Sequence, residues 1–487
     1  MSQARNYLAI DLGAESGRTI VGSLVDSKLT LSETHRFPNG PVRLNDGLHW
    51  DVLRLWSDIK AGISKSKPID SLGLDTWAVD FALLDKNDSL LGNPFHYRDA
   101  RTDGMLEEAF KVMPRAEIFA NSGIQFMQLN TLYQLIATVR TNPSLLGIAK
   151  TFVTIPDLFN YWLTGELTNE FTNATTTQCF DPRTRDWSTK ILSAFDIPSH
   201  LFKPTTESGS QIGTVLPGIA EETGAAVIPV ILPACHDTGS AVVAVPAKNE
   251  DFVWLSSGTW SIMGAEVREP CLNEKALVYN FTNEGGVFGT WRLSKNVMGL
   301  WLVQECRREW MRGGEEMSFD ALTQAAVESE TFLSVIDPDF DEFLHPGDMP
   351  SRIQKFCADT NQQVPQTKGQ IIRVALESIA LKYRLVLERL EELIGKRLDP
   401  LHIIGGGTRN SLLNQFTADS TGRTVIAGPV EATAIGNILM QAIGMKQLAS
   451  LAEARAVVRL SFEAEIYEPK PNSGWHEAYG QLQKVMK

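Results

Sequence analysis

Each half of this 487-residue chain opens with a short apolar strand that runs directly into a turn of small and polar residues. In the first half, residues 7–10 lead into the sequence DLGAESGR, and in the second half residues 252–256 lead into SGTW. Further strand-like segments and then helices follow each turn, an order that is typical of α/β domains. Because the chain is too long for one compact core, we predict two α/β domains, residues 1–248 and 249–487.

Helical periodicity is clearest in the second half, where apolar residues recur at steps of four and three from residue 370 to residue 394. Gly395 follows at the position where a glycine commonly ends a helix. The other predicted helices are residues 50–63, 411–421 and 431–444, and the other predicted strands are residues 19–25, 29–37, 71–75, 80–84, 227–232, 261–267, 287–293, 401–404 and 424–427.

Charge and cysteine usage narrow the classes of partner. The formal net charge of -13 makes the surface repel nucleic acid and anionic membranes, so we expect neither as a partner. The five cysteines are scattered and form no CxxC motif, which argues against a structural zinc site and is typical of a reducing compartment. No stretch has the length and apolarity of a signal peptide or a transmembrane helix. We therefore expect a cytoplasmic protein, a monomer or a homodimer, that binds small molecules.

Three glycine-containing turns are candidates for binding phosphate or nucleotide. In residues 11–18, two glycines expose backbone N–H groups, and Asp11 could hold Mg²⁺ through water; a plain hairpin turn is the alternative. Residues 255–260 offer hydroxyl groups between two strands. In residues 405–407, three consecutive glycines leave bare backbone for a flat ligand, with a simple strand-to-helix turn as the alternative. No Walker A sequence occurs.

A carboxylate after the predicted strand 227–232 is a candidate general base. Asp237 lies in the sequence PACHDTGSA, where small residues begin a helix. A carboxylate there can accept the proton of a sugar hydroxyl as that hydroxyl attacks a γ-phosphate. The alternative is that Asp237 only caps the helix. Residues 75–80, DTWAVD, place polar groups and an aromatic ring at another strand end, suited either to holding a sugar or to an exposed strand edge.

Taken together, these motifs have a recognisable order. Between Asp11 and Asn437 the chain contains, in sequence, DLGAESGR, GLDTWAVDFALLD, YRDART, SGIQFMQLNTLYQL, FTNATTTQ, HDTGSAV, LSSGTWS, NFTNEGG, KNVMGLWL, IGGGTRNSLLNQ and AGPVEATAIGN. In this order the stretches resemble the FGGY carbohydrate kinases. The resemblance implies an α/β fold with two ribonuclease-H-like domains, of the actin, hexokinase and Hsp70 ATPase type, that flank a catalytic cleft. It also implies ATP as co-substrate, together with Mg²⁺, and a sugar as the phosphate acceptor.

The resemblance further implies L-rhamnulose as the sugar, phosphorylated at its 1-hydroxyl. The N-terminal domain would bind the sugar and hold the proton acceptor, Asp237, whereas the C-terminal domain would mainly bind ATP. The implied sugar contacts are Ala78, His236, Asp237, Thr238 and Asn296, and the implied ATP contacts are Ala14, Glu15, Ser16, Gly17, Arg18, Thr259, Gln304 and Gly406.

Two positions depart from the family pattern. Ala78 stands where the family commonly has glycine, so its methyl group bears on the choice of sugar, and Glu15 places a carboxylate in a phosphate-binding turn. L-fuculose, D-xylulose and L-ribulose are alternative substrates. A non-catalytic regulator that binds sugar or ATP on the same fold is a further alternative, against which the candidate base Asp237 argues.

Overall fold

The computed structural model describes residues 4–315, 317–471 and 474–486. Its residues divide into two compact units, each built from more than one stretch of chain. Segments from the second half of the chain therefore complete the first unit. The first unit comprises Met1–Lys248, Glu266–Leu293 and Ala432–Phe462, and the second comprises Asn249–Ala265, Ser294–Glu431 and Glu463–Lys487.

Strands and helices occur throughout both units. The strands are β1 (Arg5–Leu12), β2 (Ser16–Val25), β3 (Lys28–Pro38), β4 (Pro41–Leu44), β5 (Gly47–Trp50), β6 (Ser71–Thr76), β7 (Phe81–Leu84), β8 (Thr151–Thr154), β9 (Phe180–Asp181), β10 (Asp186–Trp187), β11 (Gln211–Thr214), β12 (Pro229–Ile231), β13 (Val253–Ser257), β14 (Trp260–Val267), β15 (Thr282–Gly285), β16 (Trp291–Met298), β17 (Leu401–Ile404), β18 (Val425–Ala427) and β19 (Glu465–Tyr467). The helices are α1 (Val52–Lys65), α2 (Met105–Val112), α3 (Arg115–Ser122), α4 (Thr131–Thr141), α5 (Pro143–Ile148), α6 (Ile155–Thr164), α7 (Phe171–Ala174), α8 (Thr189–Ala194), α9 (Pro217–Thr223), α10 (Asp237–Val243), α11 (Glu274–Tyr279), α12 (Trp301–Arg312), α13 (Phe319–Val327), α14 (Met349–Asp359), α15 (Lys368–Ile394), α16 (Ser411–Thr421), α17 (Ala432–Gly444), α18 (Leu451–Ser461) and α19 (Gly474–Val485).

The first unit is organised around a six-stranded sheet with the strand order β11-β12-β6-β1-β2-β3. β1 pairs with β2 in the antiparallel sense and with β6 in the parallel sense, and it is buried from residue 7 to residue 12. A strand covered on both faces consists almost entirely of apolar residues, which explains the run in the sequence. Helix α1 packs Val52, Leu55 and Ile59 into the same core as β1. In α17, the Gln441 side chain donates a hydrogen bond of 2.9 Å to the β1 backbone at Leu8.

The second unit contains strands in the order β14-β13-β17-β18-β19, with β13 parallel to β17 and β17 parallel to β18. The long helix α15 begins with a capping box, in which Thr367 and Gln370 satisfy each other's backbone N–H groups. It ends at Gly395, whose φ of 78° is the left-handed conformation that glycine adopts readily. Local capping chemistry therefore fixes both ends of this helix.

Most predicted elements are confirmed within a few residues of their bounds, and the helix predicted at residues 411–421 is α16. The strand predicted at residues 287–293 is wrong in its first part. Phe288 and Gly289 have φ values of 54° and 76°, and the N–H of Thr290 donates to the carbonyl oxygen of Val287 at 3.2 Å, so this segment is a turn. The conformational freedom of Gly289 outweighs the apolar character of its neighbours.

No helix among the described residues is long and apolar enough to cross a membrane. The five cysteines carry free thiols, and all but Cys271 are buried.

Candidate active site

Three aspartates come together in the first unit, where two parallel strands and a helix meet. Asp11 in β1 and Asp75 in β6 stand opposite each other in register. Thr76, the next residue, forms a bridge with His236, and Asp237 is the first residue of α10. The charges of Asp11 and Asp237 both act on Asp75. Carboxyl ends of parallel strands are the usual place for ligand sites in open α/β sheets.

The turn between β1 and β2 holds the predicted ATP contacts from residue 14 to residue 18 together in one tight hairpin. The N–H of Gly13 donates to the carbonyl oxygen of Ser16 at 3.0 Å. Asn39 braces the turn, because its backbone N–H donates to the carbonyl oxygen of Glu15 at 3.0 Å and its side-chain amide donates to that of Gly13 at 2.8 Å. Glu15 is exposed at the tip, so its carboxylate is hydrated.

Arg18 is paired with Asp11 at the base of this turn. Nε and Nη2 of Arg18 donate to the same oxygen, Oδ2 of Asp11, at 2.9 and 2.8 Å. Gly17 pairs with Leu12, next to the pair formed by Asp11 and Arg18, and a Cβ at Gly17 would lie 2.3 Å from a ring carbon of Phe37. Only glycine fits there, so the backbone of the turn is placed by packing as well as by hydrogen bonds.

Donors hold Asp237 through only one of its carboxylate oxygens. The backbone N–H and the hydroxyl of Thr238 donate to Oδ1 at 2.5 and 3.2 Å, and Nε2 of His236 lies 3.4 Å from the same atom. In the part of the chain that the structure describes, no hydrogen bond or ion pair reaches Oδ2, and the side chain is 30% exposed. The interpretation of Asp237 as a helix cap is wrong, because His236 holds the cap position.

Burial and neighbouring charge raise the pKa values of two of these aspartates. Burial is the main cause of the raised pKa of Asp237, the Asp11 charge adds to it, and His236 opposes it. Burial also raises the pKa of Asp75 well above its ordinary value, with a further contribution from Asp11. The side-chain amide of Asn437 opposes this rise by donating to Oδ2 of Asp75 at 2.5 Å. A carboxylate with a raised pKa is the stronger base, which suits proton abstraction from a hydroxyl.

The buried carboxylate of Asp80 holds the loop after β6 in place. Oδ2 of Asp80 accepts hydrogen bonds from the indole N–H groups of Trp50 and Trp77, at 2.5 and 3.0 Å. Val79 has a φ of 68°, a conformation that β-branched residues rarely adopt. Such strain persists only where the surroundings hold it, and it is common at ligand sites. Ala78, half-buried between these neighbours, therefore has a well-defined position.

A buried ion pair that sequence reasoning missed stands behind His236. Nη2 of Arg292 lies 3.1 Å from Oε2 of Glu284 and 3.0 Å from Nδ1 of His236. Burial raises the pKa of Glu284, but the Arg292 charge, His236 and the hydrogen bond from Thr282 together outweigh that effect and bring the pKa below its ordinary value. The signal in the sequence was an arginine between the apolar residues Trp291 and Leu293, since a charge in a buried strand requires a partner.

In the second unit, two of the predicted ATP contacts lie side by side. The hydroxyl of Thr259 donates to Oε1 of Gln304 at 3.1 Å. The turn that carries Thr259 is closed by the N–H of Gly258, which donates to the carbonyl oxygen of Trp260 at 3.0 Å. The carbonyl oxygen of Gly258 in turn accepts from the N–H of Leu300 at 2.9 Å, which ties the turn to the start of α12.

The glycine run after β17 passes close to Ser257, the last residue of β13. A Cβ at Gly407 would lie 2.0 Å from Oγ of Ser257, whereas nothing lies within 4 Å of a Cβ at Gly406. Gly405 adopts a φ of 84°. Gly407 is thus needed for packing, and Gly406 leaves open backbone that suits a flat ligand. Asn296, the sugar contact implied in this unit, lies in β16.

The carboxylate cluster of the first unit fits a hydrated Mg²⁺. Asp11, Asp75 and Asp237 lie near one another, and Oδ1 of Asp75 is buried without a hydrogen-bond partner. Over the described residues, no group of three or more His, Cys, Asp or Glu side chains is arranged to hold a metal directly. Mg²⁺ usually keeps several water ligands and binds nucleotide phosphates directly, so Asp11 would hold the ion through water.

Comparison with known families covers most of the chain. Residues 6–244 match the N-terminal domain, and residues 253–445 the C-terminal domain, of the FGGY family of carbohydrate kinases. The chain belongs to this family. As an FGGY carbohydrate kinase it is an enzyme that uses ATP with Mg²⁺ to phosphorylate a carbohydrate. The resemblance drawn from the sequence motifs is confirmed.

Several FGGY kinases are similar to this one over nearly the whole chain. A rhamnulokinase from Bacteroides thetaiotaomicron is 42% identical over 479 residues, which span 98% of this chain and 98% of the relative. A rhamnulokinase from Oceanobacillus iheyensis is 43% identical over 94% of this chain and 97% of its own. A rhamnulokinase from Bacillus subtilis is 38% identical, with 95% of each chain covered.

Solved structures of other kinases share the fold. A ligand-bound xylulose kinase from Lactobacillus acidophilus has a TM-score of 0.83 at 14% identity and covers 99% of this chain and 97% of its own. A glycerol kinase from Plasmodium falciparum, solved with ADP, has a TM-score of 0.80 at 16% identity and covers 99% of this chain and 98% of its own. At these identities the likeness concerns the fold alone, and it confirms the predicted two-domain α/β class.

Proposed function

We propose that this FGGY kinase transfers the γ-phosphoryl group of ATP to the 1-hydroxyl of L-rhamnulose, giving L-rhamnulose 1-phosphate and ADP. The observation that carries the chemistry is Asp237, whose Oδ1 is held by donors and whose Oδ2 is open. The choice of sugar is supported by identities of 42% and 43% to rhamnulokinases over 98% and 94% of the chain.

The proposed division of labour follows the two halves of the chain. Residues 1–248 would form the domain that binds the sugar and supplies the base, and residues 249–487 the domain that mainly binds ATP. The proposed sugar contacts are Ala78, His236, Asp237, Thr238 and Asn296. The proposed ATP contacts are Ala14, Glu15, Ser16, Gly17, Arg18, Thr259, Gln304 and Gly406.

In the proposed reaction, the sugar 1-hydroxyl attacks the γ-phosphorus as Oδ2 of Asp237 takes its proton. The bond between the sugar oxygen and phosphorus forms while the bond between the γ-phosphorus and the β,γ-bridging oxygen breaks. General base catalysis of this kind typically contributes about 10²–10⁴-fold to the rate. Mg²⁺, when bound, supplies positive charge to the phosphates, and Asp11 would hold its water ligands.

Arg18 and the N–H groups of the β1–β2 turn are the proposed phosphate donors in the first unit. Arg18 keeps Asp11 neutralised through Oδ2, so the turn presents donors without an unpaired carboxylate beside them. Glu15 is exposed, so its charge does not alter the pairing of Arg18 with Asp11.

Ala78 decides how closely the sugar approaches the loop after β6. One methyl group in a binding pocket typically changes discrimination by about 10–200-fold, so Ala78 tunes the choice among ketoses and leaves the chemistry unaffected. A kinase for L-fuculose, D-xylulose or L-ribulose is therefore the second candidate. A regulator without activity would have no use for an open carboxylate at Asp237.

We place the reaction in the cytoplasm, where ATP is abundant and the free thiols of this chain stay reduced. The test is ADP release from Mg·ATP with L-rhamnulose, L-fuculose, D-xylulose and L-ribulose. The proposal expects the highest kcat/KM with L-rhamnulose. A higher kcat/KM with another ketose would identify that ketose as the substrate and make Ala78→Gly the first variant to measure. Binding of ATP without turnover of any of the four sugars contradicts the proposal.

A further inference from the structure

A neutral imidazole ring carries its proton on either nitrogen, and hydrogen-bond partners decide which one; in His236 these partners surround Nδ1. Two charged groups reach Nδ1: Nη2 of Arg292 at 3.0 Å and Oε2 of Glu284 at 3.3 Å. A guanidinium group can only donate a hydrogen bond, whereas a carboxylate can only accept one. The two neighbours therefore favour opposite states of the nitrogen.

Arg292 has the better geometry for this contact. Its Nη2 is the nearer atom and has hydrogen-bond geometry toward Nδ1 of His236 at 3.0 Å, whereas Oε2 of Glu284 is only within ion-pair distance of Nδ1, at 3.3 Å, and of Nη2, at 3.1 Å. A hydrogen on Nδ1 would instead point at this donor. Arg292 is itself immobilised, because its Nε donates to the carbonyl oxygen of Gly285 at 2.9 Å and its side chain is 1% exposed.

We propose that Arg292 is a positioning residue that keeps Nδ1 of His236 free of hydrogen and so places the ring proton on Nε2, facing Asp237. Nε2 lies 3.4 Å from Oδ1 of Asp237, the oxygen that also accepts from Thr238. Every donor then faces Oδ1, and Oδ2 is the acceptor left for the sugar proton. The proposal rests on the proposed function, in which Asp237 is the base.

The opposite tautomer would have a distinct consequence. With the proton on Nδ1, the lone pair of Nε2 would face Oδ1 of Asp237, and the two acceptors would repel each other at 3.4 Å. The carboxylate could then rotate, and neither oxygen would be fixed relative to the sugar hydroxyl. Arg292 thus acts on the base through the histidine without touching the sugar, and we expect it to affect kcat more than the KM for ATP.

A long-range ¹H–¹⁵N correlation spectrum of the full-length protein, labelled with ¹⁵N-histidine, reads the tautomer directly. The chain has eight histidines, and the signals of His236 are those lost in His236→Gln. We expect hydrogen on Nε2 and none on Nδ1. Hydrogen on Nδ1, alone or together with Nε2, overturns the proposal whatever the sugar preference proves to be.

A double variant separates a positioning role of Arg292 from a role in structural stability. Arg292→Met alone leaves the Glu284 charge buried and unpaired, so it is combined with Glu284→Met; replacing a buried ion pair by apolar residues of similar volume is often neutral for stability. We expect the double variant to unfold at the wild-type denaturant concentration and to keep its KM for Mg·ATP. We also expect it to lose the fixed tautomer and about tenfold in kcat with L-rhamnulose. An unchanged kcat or an unchanged tautomer overturns the proposal.

Glu284→Gln is the matched control, because it removes the carboxylate and retains Arg292. We expect this variant to keep the proton on Nε2. A switch of the proton to Nδ1 would assign control of the tautomer to Glu284 and contradict the role of Arg292. Absence of wild-type turnover with every ketose would count against the proposed function, and the spectrum would still decide the role of Arg292.

Discussion

Arg18 and Arg36 stand opposite each other in register on β2 and β3, yet they bind carboxylates of different kinds. Arg18 donates to Asp11, one of the three clustered aspartates, and the side chains of Arg18 and Asp11 are 19% and 8% exposed. Arg36 donates to Glu33, where the side chains are 50% and 39% exposed. The sheet therefore supplies one arginine at the candidate site and a matched arginine on the surface.

Arg18→Gln should impair the use of ATP. The substitution removes a charged donor from the β1–β2 turn and leaves Asp11 without its partner. Losing a hydrogen bond to a charged group typically costs about 1.5–3 kcal/mol. We expect kcat/KM for Mg·ATP to fall about 10–100-fold in steady-state ADP release. Arg36→Gln should change it less than about twofold, because exposed ion pairs contribute little. Equal losses in the two variants would refute the assignment of Arg18.

Gly406 and Gly407 should respond differently to the same substitution. Gly407→Ala places a Cβ 2.0 Å from Oγ of Ser257, so we expect the free energy of unfolding in urea to fall by about 1–3 kcal/mol. Gly406→Ala meets nothing within 4 Å and should leave that free energy unchanged. The added methyl group would cover the open backbone at Gly406, a proposed ATP contact, so the KM for Mg·ATP should rise about tenfold. A normal KM in a fully stable Gly406→Ala variant would remove this surface from the proposed site.

Asp157 should make stability depend on pH. Burial raises its pKa to about 7, against the hydrogen bonds from Thr154 and Thr168, and the Glu170 charge adds to the rise. Because the folded state binds this proton more tightly than the unfolded state, its contribution is full at acid pH and is lost as pH rises to about 7. Relative to wild type, Asp157→Asn should therefore gain roughly 2–3 kcal/mol between pH 5 and pH 8.

Urea unfolding at pH 5, 6.5 and 8 measures this difference. Asp196→Asn is the control, since Asp196 is exposed and its φ of 54° is one that asparagine also adopts readily. The control should differ from wild type by the same amount at each pH. A constant difference for Asp157→Asn as well would show that Asp157 does not titrate in this range.

Sequence reasoning located the parts of the site that local chemistry defines. Asp11 and Asp237 were visible because each stands next to an apolar strand and small residues, and the end of α15 was visible because Gly395 is a local helix stop. Arg292 and Glu284 were not assigned a role. Their function depends on contact with His236, which is 56 residues from Arg292 along the chain, and periodicity carries no information about such pairing. The turn before β16 was missed because apolar neighbours masked its glycine.

The most direct test of this account is the rate of phosphoryl transfer in Asp237→Asn, measured in a single turnover with saturating Mg·ATP and L-rhamnulose. The amide cannot take the sugar proton, so the rate should fall by about 10²–10⁴-fold. Calorimetric titration should give dissociation constants for ATP and sugar close to those of wild type, which would show that the site is intact. A near-normal rate in Asp237→Asn would contradict the central claim that Oδ2 of Asp237 accepts the proton.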